Sequence, residues 1–525
     1  MAQDAKPTGS RTRLAVLLSM AMFVLVVDTS LMNVSISAVV HDLNTTASGV
    51  QSAIALEALV SAAFILIGGK VGDLIGRKRA YVLGLLGYAV GALAMTVADT
   101  LLPIVICWAL IGGIGASLLL PSMQSLIHGN FEGAEQRRVY AMVGAAAAIA
   151  AAVGPLLGGF ITTFLSWRVG FALEVVIIAG VLSGIGLVKN VEYTGPRHID
   201  VIGAVLSVTG MGGIVLGILV WEEGGSAVAL LLLGVLGLAG LAWWLIRRKR
   251  AGRPALLDPG LFRSAEFRAG ISGQMLQQTA LGGLMIALPI YLQMVLGYNA
   301  LEAGLSLAPL SLSMFAVALI AGRTAGRWRP ASLVRLGFAL LTIGTLALVP
   351  LVPQSGFGWQ LLLPLAVAGS GLGMLVSQLN NYTLSPIEEE RVSEAAAVNS
   401  AGGSFGLSFG LAAAGAIMLA TLAASFTDRA GQSTVLNPAQ QQQVAAALEQ
   451  NAEVMSDEHL TALLAGQPAE VSDEIVRINT EARPIALQAA LLLPLLAGLL
   501  GLLNGFRMAR LPDPAPSGSG DNLLG

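Results

Sequence analysis

The stretch Gly69-Lys-Val-Gly-Asp-Leu-Ile-Gly-Arg-Lys-Arg79 lies between two long apolar segments, which places its charges at a turn between membrane helices. Its glycines permit a tight turn and a close approach of two helices. Asp73 can cap the following helix or pair with Arg77. The basic residues suit the surface of an anionic leaflet. An ordinary basic loop at the membrane surface would also explain the charges.

The composition around this stretch is that of a polytopic membrane protein. Of the 525 residues, 55% are hydrophobic and only 11% are charged, and the mean hydropathy is +0.76, far outside the soluble range. A helix needs about 20 apolar residues to cross the hydrocarbon core, so the sequence predicts an all-α protein of about fourteen membrane helices. The predicted spans are 14–39, 49–69, 80–98, 102–122, 139–163, 170–188, 201–221, 226–246, 270–296, 302–322, 332–351, 359–381, 395–421 and 485–506.

The charges of the connections predict the orientation, because basic loops stay in the cytoplasm. Basic residues group at alternate connections, whereas the others are mostly acidic, with Arg168 as the main exception. Both termini are therefore expected in the cytoplasm. The basic connections hold Arg77–Arg79, Arg137, Arg138, Lys189, Arg197, Arg247–Arg250, Arg323–Arg329 and Arg391.

Two motifs resemble the major facilitator superfamily of transporters. Gly69, Asp73, Gly76, Arg77 and Lys78 have the spacing G-x-x-x-D-x-x-G-R-K of the loop that follows its second helix. In the fifth helix, the run Gly154-Pro155-Leu-Leu-Gly158-Gly159 resembles the signature of its antiporters. Small residues at this spacing let two backbones approach closely, and the proline permits a bend.

The helix order resembles the fourteen-helix drug:proton antiporter branch, in which two extra helices separate two six-helix bundles. The resemblance implies an N-terminal bundle in 1–190, an inserted pair in 191–250 and a C-terminal bundle in 251–510. The tail in 511–525 is rich in proline, glycine and serine and is expected to be disordered. The polar segment 426–483 should lie outside the cell, with Ser456 and Ser472 capping short helices. A weak echo of the loop motif, Gly322–Arg327, follows the second helix of the second half.

Three acidic residues lie in the interior of predicted spans: Asp28, Glu57 and Glu174. A charge at the bilayer centre costs at least about 2.5–3.5 kcal/mol, so each acid is a candidate for binding a proton or a cationic substrate. The pattern Asp28-Thr-Ser-Leu-Met-Asn33 is similar to a first-helix motif of the fourteen-helix branch. A purely structural hydrogen bond remains the alternative for Asp28, and a pair with Arg168 is an option for Glu174.

One residue departs from the family pattern. Ala109 stands in the fourth helix where the resemblance implies an arginine that takes part in proton transfer. Polar side chains in the spans could line a central cavity, although hydrogen bonds between helices would explain them equally well. The candidates for the cavity lining are Asn33, Gln274, Gln278, Gln378 and Asn399.

Together these features predict a proton-coupled antiporter that exports amphipathic, cationic small molecules across a bacterial cytoplasmic membrane by alternating access. It is expected to be a monomer without a cofactor, metal or nucleic-acid partner. With Cys107 as its only cysteine, the chain has no disulfide framework. The alternatives are a dedicated exporter of an envelope lipid or metabolite, and a membrane-embedded enzyme or sensor. With only 4 histidines and no His/Cys or Ser/His cluster, the sequence favours a non-enzyme.

Overall fold

The computed structural model describes residues 8–189, 200–221, 225–323, 328–352, 357–388, 391–436, 441 and 468–512. Fourteen helices in these ranges are long and apolar enough to cross a membrane, which confirms the predicted number. They are α1 Thr8–Val34, α2 Ala47–Ile75, α3 Arg77–Val97, α4 Leu101–Asn130, α5 Gly133–Phe164, α6 Trp167–Ser183, α7 Val201–Leu219, α8 Gly225–Arg250, α9 Ala265–Val295, α10 Ala300–Arg323, α11 Pro330–Leu351, α12 Gly358–Leu384, α13 Val392–Gln432 and α14 Ala469–Met508.

The helices pack as two bundles of six. In the first bundle, α1 packs on α5 and α6, and α3 packs on α4 and α6. In the second, α9 packs on α13 and α14, while α12 packs on α10 and α11. The bundles meet along two seams, one between α5 and α10 and the other between α2 and α13.

The inserted helices α7 and α8 pack closely on each other beside the second seam. A Cβ on Gly213 would lie only 2.6 Å from the backbone nitrogen of Gly234, so glycine permits this approach. α7 also contacts both α2 and α13. Buried Asp200, just before α7, accepts hydrogen bonds from Trp244 Nε1 at 2.9 Å and from the backbone of Leu256 at 3.1 Å. The pair is therefore anchored at one end and reaches both bundles.

The ends of the helices form two faces, named here the Asp42 face and the Arg77 face after one residue in each. Hydrogen bonds between the bundles lie toward the Asp42 face. Ser37 N donates to Gln293 Oε1 at 3.0 Å, and Leu301 N donates to Thr163 Oγ1 at 3.0 Å. The bundles are thus joined at the end that carries Asp42.

Helices α13 and α14 correct the prediction that Ser472 caps a short helix in the segment 426–483. They contain 41 and 40 residues, or about 60 Å of helix, which is twice the thickness of a hydrocarbon core of about 30 Å. An ion pair between Arg429 and Glu481 joins them beyond the apolar part. Ser472 lies inside α14 and caps no helix, whereas Pro468 precedes that helix.

Several predictions fall outside the described residues. Ser456 lies in such a range, as do most of the segment between α13 and α14, most of the tail, and residues 324–327 of the motif echo.

Candidate functional site

The loop motif forms a short turn between α2 and α3. Gly76 has φ of 97°, a left-handed conformation that favours glycine, and it directly separates the two helices. Asp73 pairs with Arg77 across the turn, and both side chains are largely buried. Lys78 Nζ donates to the carbonyl oxygen of Val188 at 2.8 Å, which ties the turn to the end of α6. Of the two roles open to Asp73, the structure shows the ion pair.

The close approach of α2 to α4 is at Gly68, one residue before the motif begins. A Cβ on Gly68 would lie 2.3 Å from the carbonyl oxygen of Ser117. At Gly69 the nearest atom is the Pro121 Cβ at 3.8 Å, an ordinary contact. Gly69 therefore has room for a side chain, and the steric demand for glycine falls on Gly68.

The fifth-helix motif has two faces with different partners. Gly154 and Gly158 face α1 within the same bundle. A Cβ on Gly154 would lie 2.5 Å from Ser30 Cβ, and one on Gly158 would lie 2.9 Å from Leu31 Cα. This half of the motif holds the first bundle together.

The other half of the motif contacts the second bundle. A Cβ on Gly159 would lie 2.5 Å from the carbonyl oxygen of Ala300 at the start of α10. The carbonyl oxygen of Pro155 in turn lies 2.3 Å from the position of a Cβ on Gly304. Pro155 and Gly159 therefore form part of the seam across which the two bundles would move.

The first predicted acid is fully enclosed by hydrogen-bond donors and a second acid. Asp28 is 1% exposed and accepts a hydrogen bond from Tyr88 Oη at 2.6 Å. The indole Nε1 of Trp108 donates to both carboxylate oxygens at 3.1 Å. Glu174, 2% exposed, lies beside Asp28. Within the described residues, no donor forms a hydrogen bond to the Glu174 carboxylate.

Glu57 completes a cluster of three acids from α1, α2 and α6. It is partly buried and close enough to Asp28 for a direct electrostatic interaction, and all three acids act on Tyr88. Considering only the ranges that the structure describes, none of the three carboxylates forms an ion pair with lysine or arginine. We call Asp28, Glu57 and Glu174 the acid cluster.

Arg168 does not pair with Glu174, contrary to the option that the sequence left open. It pairs with Asp42 and donates to the carbonyl oxygen of Ala98 at 2.5 Å. Partial burial alone would raise the pKa of Asp42, but hydrogen bonds from Arg168 and Trp167 and the charge of Arg168 hold it below its usual value. Arg168 thus joins three connections at the Asp42 face.

The position of the missing arginine is fully buried and lies in a π-helical segment, Ile104–Gly112. π-Helical turns often mark functional sites. The neighbouring Trp108 supplies the donor to Asp28, and its ring packs edge-on against Phe171 with centroids 6.4 Å apart. Here Asp28 has a neutral donor, and Ala109 itself contributes no polar group.

Two polar candidates of the second bundle, Gln378 and Asn399, form hydrogen bonds with residues outside the acid cluster. Gln378 Nε2 donates to the carbonyl oxygen of Ala321 at 3.3 Å, and Asn399 Nδ2 donates to Asn380 Oδ1 at 3.1 Å. Both residues thus form hydrogen bonds between helices, the alternative to a cavity lining. The three other candidates also lie against neighbouring protein groups. Gln274 and Gln278 lie against Gly403 of α13, and Asn33 donates to the Thr29 carbonyl oxygen at 2.8 Å.

Sequence reasoning missed Tyr88 and Trp108 as members of the site. Each lies inside an apolar span, where an aromatic side chain does not interrupt the hydropathy pattern. The one feature that could have identified them is the single polar atom that each carries into the span, because that atom needs a buried partner. An acid on a neighbouring helix is such a partner.

A sequence model of the Major Facilitator Superfamily matches residues 18–200 and 191–411, well over half of the chain. The chain belongs to the Major Facilitator Superfamily. The resemblance seen in the loop and fifth-helix motifs is thereby confirmed. The protein is a multi-pass membrane transporter of this superfamily.

Curated relatives are bacterial export and resistance proteins. The Puromycin resistance protein pur8 of Streptomyces alboniger is 31% identical over 404 residues, 74% of this chain and 78% of that protein. The Probable actinorhodin transporter of Streptomyces coelicolor is 26% identical over 411 residues, covering 76% and 71%. The Multidrug efflux pump LfrA of Mycolicibacterium smegmatis is 27% identical over 416 residues, covering 79% and 82%. These relatives and the fourteen helices agree with the predicted branch.

Solved structures show the same fold at low identity. A bacterial homologue of the human lysosomal transporter Spinster, inward-facing and occupied, has a TM-score of 0.58 at 13% identity and covers 96% of this chain and 98% of its own. The D-xylose-proton symporter has a TM-score of 0.54 at 15% identity, covering 77% and 89%.

Proposed function

We propose that the protein is a proton-coupled antiporter that exports amphipathic, cationic small molecules by alternating access. The observation that carries this proposal is the acid cluster, in which three carboxyl groups from three helices converge without an arginine or lysine partner among the described residues. Intramembrane acids that face the interior of a helix bundle commonly form proton relays or bind substrate.

Electrostatics makes protons and cations alternative ligands of such a cluster. Negative charges close to one another in a buried site repel, and burial adds a desolvation cost to each of them. The cluster therefore cannot hold three bare charges. Either protons neutralise it or a bound cation does, so binding one ligand releases the other. This exclusion is the chemistry that an antiporter of cations needs.

The amphipathic class of cargo rests on the relatives. Those named above comprise a multidrug efflux pump, an antibiotic-resistance protein and a probable transporter of actinorhodin. By extension, this chain would carry compounds of the same general kind. Its cationic preference is inferred from the acid cluster alone.

The charges of the connections support one orientation in the membrane. Arg77, Lys78 and Arg79 lie at the Arg77 face, whereas the ion pair of Asp42 with Arg168 lies at the opposite one. On the positive-inside rule, the Arg77 face and both termini lie in the cytoplasm of a bacterial cell. With the bundles 1–190 and 251–510 joined at the Asp42 face, the structure would correspond to an arrangement closed toward the outside.

The decisive experiment is transport of ethidium, a cationic probe, into or out of proteoliposomes with an imposed pH gradient. Asp28→Asn keeps the shape of the side chain but cannot bind or release a proton. We expect gradient-driven transport to be lost while the variant elutes as a folded protein. Transport by Asp28→Asn at the wild-type rate would refute the proposal.

Asp99→Asn is the matched control, because Asp99 undergoes the same chemical change at the Asp42 face, where its side chain is 95% exposed. It should transport as the wild type does. An equal loss in both variants would show that the assay reports overall charge and not the acid cluster.

A further inference from the structure

The three carboxyl groups of the acid cluster differ in their surroundings. Asp28 accepts hydrogen bonds from Tyr88 Oη at 2.6 Å and from Trp108 Nε1 at 3.1 Å. Glu57 is only partly buried, so part of its side chain is accessible. Glu174 is 2% exposed, and neither of its carboxylate oxygens has a hydrogen-bond donor among the described residues. The structure therefore stabilises a negative charge on Asp28 but not on Glu174.

The carboxyl group of Glu174 lies within hydrogen-bond reach of an acceptor, the carboxyl group of Asp28. Two carboxylates at such a distance repel each other, and in a buried site water does not screen the repulsion. A protonated carboxyl group instead has an O–H group to donate, and such a bond to a carboxylate is short and strong. One proton on Glu174 thus removes a buried charge and gives Asp28 a third donor.

The titratable groups around Glu174 favour the same protonation state. The helix α6 packs on α1, α3 and α5. On α1 and α3, the groups that act electrostatically on Glu174 are Asp28 and Tyr88, and neither carries a positive charge. Residues 141–164 of α5 include no titratable side chain, and Arg168 of α6 itself is paired at the Asp42 face. A negative charge on Glu174 would thus face only negative or neutral groups on these helices.

The contacts of Glu174 lie within one bundle. The donors to Asp28 and the two most deeply buried acids are on α1, α3, α4 and α6, all in the first bundle. In alternating access the bundles move largely as rigid bodies, so contacts inside a bundle persist in both arrangements. Glu57, in contrast, lies on α2 beside the seam, where Ser408 Oγ of α13 donates to the carbonyl oxygen of Ala55 at 2.7 Å. Movement along the seam changes the surroundings of Glu57 but not those of Glu174.

We propose that Glu174 keeps its proton throughout the transport cycle and donates a hydrogen bond to Asp28, so that only Asp28 and Glu57 exchange protons for cargo. This inference concerns the site of the proposed proton coupling and rests on that function. Glu174 is then a positioning residue that acts through Asp28. It completes a set of three neutral donors in a chain that carries Ala109 where the family pattern has an arginine.

Two substitutions of Glu174 distinguish a hydrogen-bond donor from a proton carrier. Glutamine keeps the length of the side chain and an N–H donor but cannot release a proton, whereas leucine keeps the approximate volume and has no donor. We expect Glu174→Leu to lower gradient-driven ethidium transport in proteoliposomes at least about tenfold, the effect of one hydrogen bond to a charged group. Glu174→Gln should transport at least about tenfold faster than Glu174→Leu, because it restores that donor. The melting temperature of each variant shows whether it is folded.

Infrared difference spectroscopy detects the proton itself. A protonated carboxyl group has a C=O stretching band that a carboxylate lacks. In the spectrum of the wild type minus that of Glu174→Gln, at the pH of the transport assay, this band should be present both without ethidium and at saturating ethidium. Glu470→Gln is the matched control, because Glu470 undergoes the same change in the exposed first turn of α14. Its difference spectrum should contain carboxylate bands without the protonated C=O band.

Three results would overturn the proposal. The first is the absence of the C=O band without ethidium, which would show that Glu174 is ionised. The second is loss of the band when ethidium binds, which would make Glu174 a proton carrier. The third is a Glu174→Gln variant that is as slow as Glu174→Leu while the wild type transports. A wild type without gradient-driven transport would instead refute the proposed function, and the infrared band would still decide the protonation of Glu174.

Discussion

Gly159 provides a direct test of the seam between α5 and α10. A methyl group there would lie 2.5 Å from the carbonyl oxygen of Ala300 and 2.9 Å from Leu301 Cα, whereas ordinary contacts begin at 3.4 Å. Both atoms belong to the backbone, so no side chain can rotate out of the way. Gly159→Ala would therefore have to move the two bundles apart locally by about 0.9 Å, the difference between 3.4 and 2.5 Å.

Overpacking of this kind costs about 1–3 kcal/mol. If the cost falls only on the arrangement in which the Asp42 face is joined, the population of that arrangement relative to the alternative decreases by about 5–150-fold. We expect Gly159→Ala to shift the protein away from the joined arrangement and to slow transport, because a full cycle must pass through both arrangements.

The assay measures the distance across the seam. Cys107→Ser removes the only cysteine, after which Phe164→Cys and Leu305→Cys place labels on exposed positions of α5 and α10. Double electron–electron resonance in nanodiscs should show a longer distance in the Gly159→Ala background. Ethidium transport is measured on the same samples.

Two other glycines of α5 separate a seam effect from a general loss of stability. Gly144→Ala adds the same methyl group where nothing lies within 4 Å, so it should leave both the distance and the transport unchanged. Gly154→Ala meets Ser30 Cβ inside the first bundle and should lower the melting temperature without lengthening the distance. If Gly159→Ala behaved like Gly144→Ala in both measurements, the assignment of Gly159 to the seam would be wrong.

Two further predictions concern the hydrogen bonds of carboxylates. Trp108→Phe keeps an aromatic ring against Phe171 but removes the donor to Asp28. Because a hydrogen bond to a charged group contributes about 1.5–3 kcal/mol, we expect proton-driven transport to fall at least about tenfold. An unchanged rate in proteoliposomes would contradict this role of Trp108. The pKa of Asp42 is lowered in the folded protein. The Asp42–Arg168 ion pair therefore contributes its full stabilisation of the fold above the pKa of the unfolded chain, about 3.9, and loses it as the pH falls through the lower pKa of the folded protein. The difference in melting temperature between the wild type and Arg168→Gln should therefore shrink below about pH 4, and a constant difference from pH 7 to pH 3 would show that the ion pair contributes nothing.

The sequence predicted the number and order of the helices because the length of an apolar run is a direct physical signal. It was less accurate at the ends of α13 and α14. Polar residues such as Arg429 and Glu481 lie in the segment that the sequence predicts to be extracellular, yet they continue the two long helices and pair with each other outside the apolar part. Hydropathy identifies where a chain can lie in lipid, and a helix can extend beyond that region.

The acids were found individually because each interrupts an apolar run, but their meeting could not be predicted. Which helices adjoin, and which faces they present, depends on packing between distant parts of the chain. Arg168 shows the same limit. It lies six residues from Glu174, and this nearness suggested a pair, whereas the structure places it against Asp42, 126 residues away. The requirement for glycine at Gly68, and not at Gly69, has a similar origin, because the position of α4 decides which of the two residues lies against its backbone.

The replacement of the expected arginine by Ala109 bears directly on the proposed mechanism. A fixed guanidinium next to Asp28 would supply a permanent positive charge and would let the carboxylate remain ionised in the empty transporter. Trp108 supplies an N–H group at this place but no charge. On the proposed mechanism, the compensating charge must then arrive with each proton or each cationic cargo molecule. Without a lysine or arginine partner among the described residues, the cluster would depend more on its ligands, and exchange between them would be obligatory for a complete cycle.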